Sequence, residues 1–235
     1  MKIGIIGAMD IEVETLISKM QDASSQKVAG MDFTCGTLAG VPTVIGFCKV
    51  GKVNAALCVQ VLVSEFGVTH LINTGVAGSL DARINIGDLV VSTDAVHHDM
   101  DVCNLGYEPG QVPGMDILAF PTDEKLAALV VKTANKVAPE LGVFRGRVAS
   151  GEQFVRTDAE KQRIIAQFGA LCTEMEGAAI AHAAYLNKVP CVIVRAISDK
   201  ADGTDAQDYP TFEARAAATC AEITYEVVAA LANNE

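Results

Sequence analysis

Apolar runs of strand length alternate along this chain with longer segments of helical period, and no linker-like Pro/Gly/Ser tract or internal repeat interrupts the alternation. Strands separated by helix-length connections return in parallel, because only a long crossover brings the chain back to the same edge. The fold class predicted is α/β: a single domain, residues 1–235, with a central mixed β-sheet flanked by helices on both sides. Strands are expected at 2–7, 31–38, 43–49, 69–73, 89–95, 144–150, 170–173 and 191–197. Helices are expected at 10–20, 54–65, 122–137, 158–167, 176–186 and 211–232. Gly40-Val41-Pro42 reads as a hairpin-like turn, Thr74 to Gly78 as a glycine turn, and 97–120, with five Gly or Pro, as one long loop.

Several classes of protein fall away on composition. A chain of 235 residues, 50% of them hydrophobic, can bury roughly two thirds of its unfolded surface and has no need of staples. Its net charge of -11 repels a phosphate backbone and an anionic membrane, so neither nucleic acid nor membrane is an expected partner. The longest uncharged stretch, Phe33 to Cys48, is interrupted by Gly and Pro and falls short of the about 20 apolar residues a spanning helix needs. The start MKIGIIGAMD carries too short an apolar run for a signal peptide, which leaves the cytoplasm as the expected compartment. Seven widely spaced cysteines without a CxxC pair suggest reduced thiols, not a disulfide framework or a zinc site.

In α/β sheets, ligands gather at the carboxyl ends of strands. Here those ends are followed by Ala8-Met9-Asp10-Ile11-Glu12, by Thr74-Gly75-Val76-Ala77-Gly78, by Glu174-Met175-Glu176 and by Ser198-Asp199. Each acid alone is compatible with a helix start or a turn, but three acidic clusters at strand ends are more than capping requires. Arg195 interrupts an otherwise apolar strand and needs a buried partner, for which Glu174 is a candidate. His97-His98-Asp99 lacks a third spaced ligand for a metal, and GIIGA lacks the last glycine of a dinucleotide fingerprint. No metal or organic cofactor is expected.

Five segments, GIIGAMDIEVE, NTGVAGSL, SGEQFV, TEMEGAAIAH and VIVRAISDKAD, occur in an order and spacing that resemble the nucleoside phosphorylase family. Within it they look like the branch of nucleosidases acting on 5′-methylthioadenosine and S-adenosylhomocysteine. The resemblance covers nearly the whole chain. It implies a homodimer that hydrolyses an adenine N-glycosidic bond, with Asp199 as the acid at N7 of the base and Glu12 orienting or activating water. It further implies that Met175 and Glu176 bind the ribose, that Phe154 stacks on the base, and that Val155 offers its backbone to the base edge. Ser198 and Arg195 support Asp199 and the carboxylates, with Glu174, Ala77 and Gly78 completing the substrate surroundings. Met9, Val50 and Tyr209 would line the 5′ side, joined by Val102, Leu105 and Pro113 from the partner subunit.

The residue types suit that chemistry. Adenine leaves poorly as an anion and needs an acid, while the ribosyl carbon turns cationic and favours carboxylates. Val76 departs from the family pattern, which commonly has Ser there, and puts the water-positioning network in question. Two alternatives stay open at this point. A phosphate-dependent phosphorylase would need cations near the sugar, for which Lys49, Lys52 and Arg83 are available. A non-catalytic nucleoside sensor would need the pocket but neither Glu12 nor Asp199.

Overall fold

A computed structural model describes residues 1–202 and 209–232. In chain order the elements are β1 (Ile3–Gly7), α1 (Asp10–Ser18), β2 (Gln21–Val28), β3 (Met31–Leu38), β4 (Val41–Phe47), α2 (Lys52–Ser64), β5 (His70–Ser79) and β6 (Leu89–His97). After these come β7 (Phe120–Pro121), α3 (Glu124–Val137), β8 (Val143–Ser150), α4 (Asp158–Phe168), β9 (Cys172–Glu174), α5 (Gly177–Asn187), β10 (Cys191–Asp199) and α6 (Tyr209–Ala232). The expected α/β class and mixed sheet are present, with helices on both faces.

One half of the sheet is an open arm, β2-β3-β4-β1-β5, and the other closes on itself. Strand β5 pairs with β10, β10 with β6, β6 with β8, β8 with β9, and β9 again with β5. Closure removes two sheet edges, which would otherwise expose unpaired backbone. It also brings the ends of β5, β8, β9 and β10 around one opening.

The central strands β1 and β10 are buried along nearly their whole length, as parallel strands covered on both faces must be. One face is covered by α1, α3 and α6, where Val13, Leu16, Val130, Ala217, Ala221 and Val228 pack against Ile5, Ile72 and Val194. On the other, α2 and α5 lay Ala55, Leu62, Ile180 and Ala184 against Ile6, Val44 and Leu71. Helices α3 and α4 begin at Asp123 and Thr157, whose side chains accept the backbone N–H groups of Leu126 and Glu160.

Three local expectations change. The supposed glycine turn Thr74 to Gly78 is strand, since β5 continues to Ser79 with β10 paired alongside it. Its glycines serve close approach: a side chain at Gly75 would collide with Glu12 Oε1 and Arg195 Nη1. Val41 and Pro42 belong to β4, and the hairpin turns at Ala39 and Gly40, both at positive φ. Strand β2 was not expected at all, because Gln21–Val28 is polar and exposed and carries no hydrophobic alternation; its pairing with β3 alone defines it.

Candidate active site

Sixteen of the described residues line a cavity of about 210 Å³ at the carboxyl ends of β1, β5, β9 and β10. Room for many waters at about 30 Å³ each suits an organic ligand better than an ion. Of the expected site residues, Met9, Glu12, Val50, Ala77, Gly78, Phe154, Val155, Glu174, Met175, Glu176, Ser198 and Asp199 all line it.

Glu12 sits in the first turn of α1 with its carboxylate folded back over the end of β1. Oε2 accepts the backbone N–H groups of Ala8 at 2.7 Å and Met9 at 3.0 Å, and Oε1 accepts that of Val76 at 3.1 Å. Val76 therefore supplies a main-chain donor to Glu12 whatever its side chain, so its apolar identity does not leave that oxygen unheld. Burial raises the Glu12 pKa above the ordinary carboxylate value, against the opposing pull of Arg195 and these N–H donors.

Arg195 lies one layer beneath, only 1% exposed. Its Nη2 donates to Asn73 Oδ1 at 2.6 Å and forms an ion pair with Glu174 Oε2, the partner expected for it. Burial alone would lower the Arg195 pKa; Glu174, Glu12 and Glu176 outweigh it and keep the guanidinium charged. Glu174 is held on every side. Ser150 Oγ donates to Oε1, while the backbone N–H groups of Glu176 and Gly177 donate to Oε2 at 3.2 and 2.7 Å. With its oxygens so engaged, Glu174 is a scaffold more than a ligand donor.

Glu176 differs. Among the described residues only Gly51 donates to it, from its backbone N–H to Oε1 at 2.8 Å. Burial and the neighbouring Glu174 push its pKa up to about 7.

A β-bulge in β10 between Ile197 and Asp199 breaks the register with β5, and such bulges re-aim side chains near sites. Beyond it Asp199 pairs with Gly78 and its carboxylate accepts from Ser198 Oγ at 2.9 Å and from the Ala201 N–H at 2.7 Å. Arg195 pairs with Gly75 on the same strand, three residues or about 10 Å away at 3.3 Å per residue. Asp199 thus marks one end of the cleft and the Glu12–Arg195–Glu174 cluster the other. Phe154, 54% exposed, and Val50, 47% exposed, stand at its mouth.

Some expectations are not joined to this cleft. The Tyr209 backbone opens α6, but its side chain lies outside the described part. Val102, Leu105 and Pro113 sit in the long loop and do not line the cavity of their own chain. Lys49, Lys52 and Arg83 are engaged elsewhere, with Gly30 O, Asp99 and Asp81 respectively. Val76, noted for its departure from the family pattern, lines the cavity; Ala8, Gln153 and Thr173 line it without having been singled out, and Asn73 and Ser150 support it from behind. Asn73 and Ser150 did give a signal, as polar residues at the ends of the strands expected at 69–73 and 144–150.

Residues 2–229 match the model of the Phosphorylase superfamily, and the chain belongs to that superfamily. Within it, the chain is 37% identical over 229 residues to a 5′-methylthioadenosine/S-adenosylhomocysteine nucleosidase of Bacillus velezensis, an alignment spanning 97% of this chain and 98% of the relative. The fold is similar to that of the corresponding Neisseria meningitidis nucleosidase in complex with methylthio-immucillin-A (TM-score 0.94, 34% identity, 97% and 99% of the two chains). It is likewise similar to the Colwellia psychrerythraea enzyme in complex with adenine (TM-score 0.93, 35% identity, 97% and 94%).

Proposed function

We propose that this chain hydrolyses the N-glycosidic bond of 5′-methylthioadenosine and S-adenosylhomocysteine, releasing adenine and the 5′-thio-substituted ribose. The observation that carries this is the separation of Asp199 from the Glu12 cluster along β5, one acid at each end of a nucleoside-sized cleft. Named relatives with the same activity, similar over almost the whole chain, support it.

In this reading Asp199 delivers a proton to N7 as the glycosidic bond breaks, so that adenine leaves neutral. The Ser198 hydroxyl and the Ala201 N–H fix its carboxyl group in place. Glu12, made more basic by burial, takes a proton from the attacking water on the opposite side of the ribose. The charge of three carboxyl groups exceeds that of the single Arg195 guanidinium beneath them, and this excess stabilises the ribosyl cation that develops in the cleft above. Glu176 accepts from the ribose hydroxyls, Phe154 stacks on the base, Val155 meets the base edge through its backbone, and Met9, Val50 and Met175 surround the sugar and its 5′ substituent.

A phosphate nucleophile would enter an acidic pocket, since neither Lys49, Lys52 nor Arg83 lines it. That favours water over phosphate. The working unit proposed is a homodimer in the cytoplasm. Val53, Leu57, Tyr185 and Leu186 on α2 and α5 and Leu105 in the long loop are exposed, an apolar surface that suits a second copy. Val102, Leu105 and Pro113 would then reach the partner's cleft. The cysteines of the described residues are all free thiols, in keeping with a reducing compartment. Incubating the purified protein with each nucleoside and measuring adenine release tests the activity; absence of release from both would overturn it.

A further inference from the structure

Residues 151–157 join β8 to α4 and carry Phe154 and Val155 to the cleft mouth. Phe154 keeps 54% of its surface exposed. The segment is tied down by polar contacts just before the ring. Asp99 uses both carboxylate oxygens: Oδ1 accepts from Lys52 Nζ at 2.5 Å, and Oδ2 accepts from the backbone N–H of Glu152 at 2.9 Å. The Glu152 side chain reaches the other way, and its Oε1 accepts the backbone N–H of Lys52 at 2.8 Å. Asp99, Lys52 and Glu152 therefore form a closed ring of three contacts.

The ring sits at the start of α2, whose first-turn N–H groups need acceptors and favour negative charge. One residue earlier, the N–H of Gly51 goes to Glu176. Gly51 is at φ 104, and a side chain there would press on Glu152 Oε2 at 3.0 Å. The same helix start thus holds Glu152 and Glu176 through adjacent N–H groups.

We propose that Asp99 and Glu152 are positioning residues for nucleoside binding: together they latch the 151–155 segment to the start of α2 and set Phe154 across the mouth of the cleft. This rests on the reading of Phe154 as the base-stacking ring. Neither residue touches the reacting atoms. Both act on binding that the ground state and transition state share, so their loss raises KM and leaves kcat nearly unchanged.

The test uses the full-length protein and two readouts. In steady-state assays with methylthioadenosine, D99A and E152A each raise KM about tenfold with kcat within about threefold of wild type. The D99A/E152A double variant is no more than about twofold worse than the poorer single one, because the latch needs both contacts and losing either opens it. E152Q, which keeps a carbonyl oxygen for the Lys52 N–H, stays within about twofold of wild type in KM. The chain has no Trp, so F154W is a unique fluorescent reporter of the segment. Adding D99A to F154W increases acrylamide quenching about twofold, a readout of local opening that needs no turnover. Unchanged KM in both single variants, multiplicative effects in the double, E152Q as impaired as E152A, or unaltered quenching overturns the proposal. Wild-type protein that releases no adenine while quenching still responds to D99A would instead overturn the enzymatic reading and leave the latch standing.

Discussion

Arg195 and Glu174 form an ion pair in which the side chains retain 1% and 4% of their exposure. Asn73 Oδ1 accepts from the Arg195 end and Ser150 Oγ donates to the Glu174 end. Such a pair adds little net stability against an apolar replacement of both members, but removing one member strands the other in a low-dielectric interior.

Arg195→Met should therefore cost about 3–5 kcal/mol. For a chain of this size that corresponds to a melting temperature lower by roughly 10 °C. The deficit should shrink between pH 7 and pH 5, because Glu12 and Glu176, whose pKa values burial already raises, take up protons more readily without their cation. Thermal denaturation at both pH values checks this; a melting temperature within about 2 °C of wild type at pH 7 would show that the guanidinium is not compensating buried charge.

Gly75→Ala probes the other side of the same cluster. The added methyl would collide with Arg195 Nη1 and with Oε1 of Glu12, a carboxylate whose two oxygens together accept three backbone N–H groups. Since misplacement by about 1 Å can cost 100-fold, kcat/KM should fall by at least about that factor. Activity within about threefold of wild type would mean that Glu12 is free to move without consequence.

How much of this was legible beforehand follows from the kind of signal each residue gives. The buried strands β1 and β10 and the helices α3 and α6 announce themselves through hydrophobic runs and periodicity, and Arg195 announced its need for a carboxylate. Thr74 to Gly78 misled because glycines usually mark turns; in β5 they make space for Glu12 and Arg195, a reason that lies in distant residues. Strand β2 has no apolar face to read. Glu152 looks like an ordinary surface acid and Asp99 like the end of an incomplete metal motif, and only the meeting of the segments after β6 and β8 with the start of α2 gives them partners.

The pH profile should carry the signature of Glu176. Its pKa is raised to about 7, so below that pH the folded protein holds a proton that the unfolded chain releases down to about 4.5. Stability from this group is therefore greatest at low pH and is lost as pH rises through 7. In the role proposed for Glu176 at the ribose, binding runs the opposite way, because only the carboxylate would accept from both ribose hydroxyls. The specificity constant should rise with an inflection near 7 that Glu176→Gln abolishes. A flat wild-type profile from pH 5 to 8 would rule out this role.

Met9, Val50 and Phe154 give the cavity apolar surface, where the proposed reading puts the 5′ end of the nucleoside. A thioether is buried there favourably, whereas a phosphate dianion loses hydration without gaining a cation. The specificity constant for AMP should lie at least about 1,000-fold below that for methylthioadenosine, equivalent to roughly 4 kcal/mol. Comparable constants would mean that the 5′ group projects elsewhere.

The division of labour between Asp199 and Glu12 is tested most directly by identifying the sugar product of methylthioadenosine cleavage in desalted protein, with and without phosphate, for wild type and Asp199→Asn. The account predicts adenine and free 5-methylthioribose at a rate indifferent to phosphate, and a loss of at least about 100-fold in the Asn variant. A ribose 1-phosphate product, a requirement for phosphate, or an Asn variant turning over at the wild-type rate would contradict it.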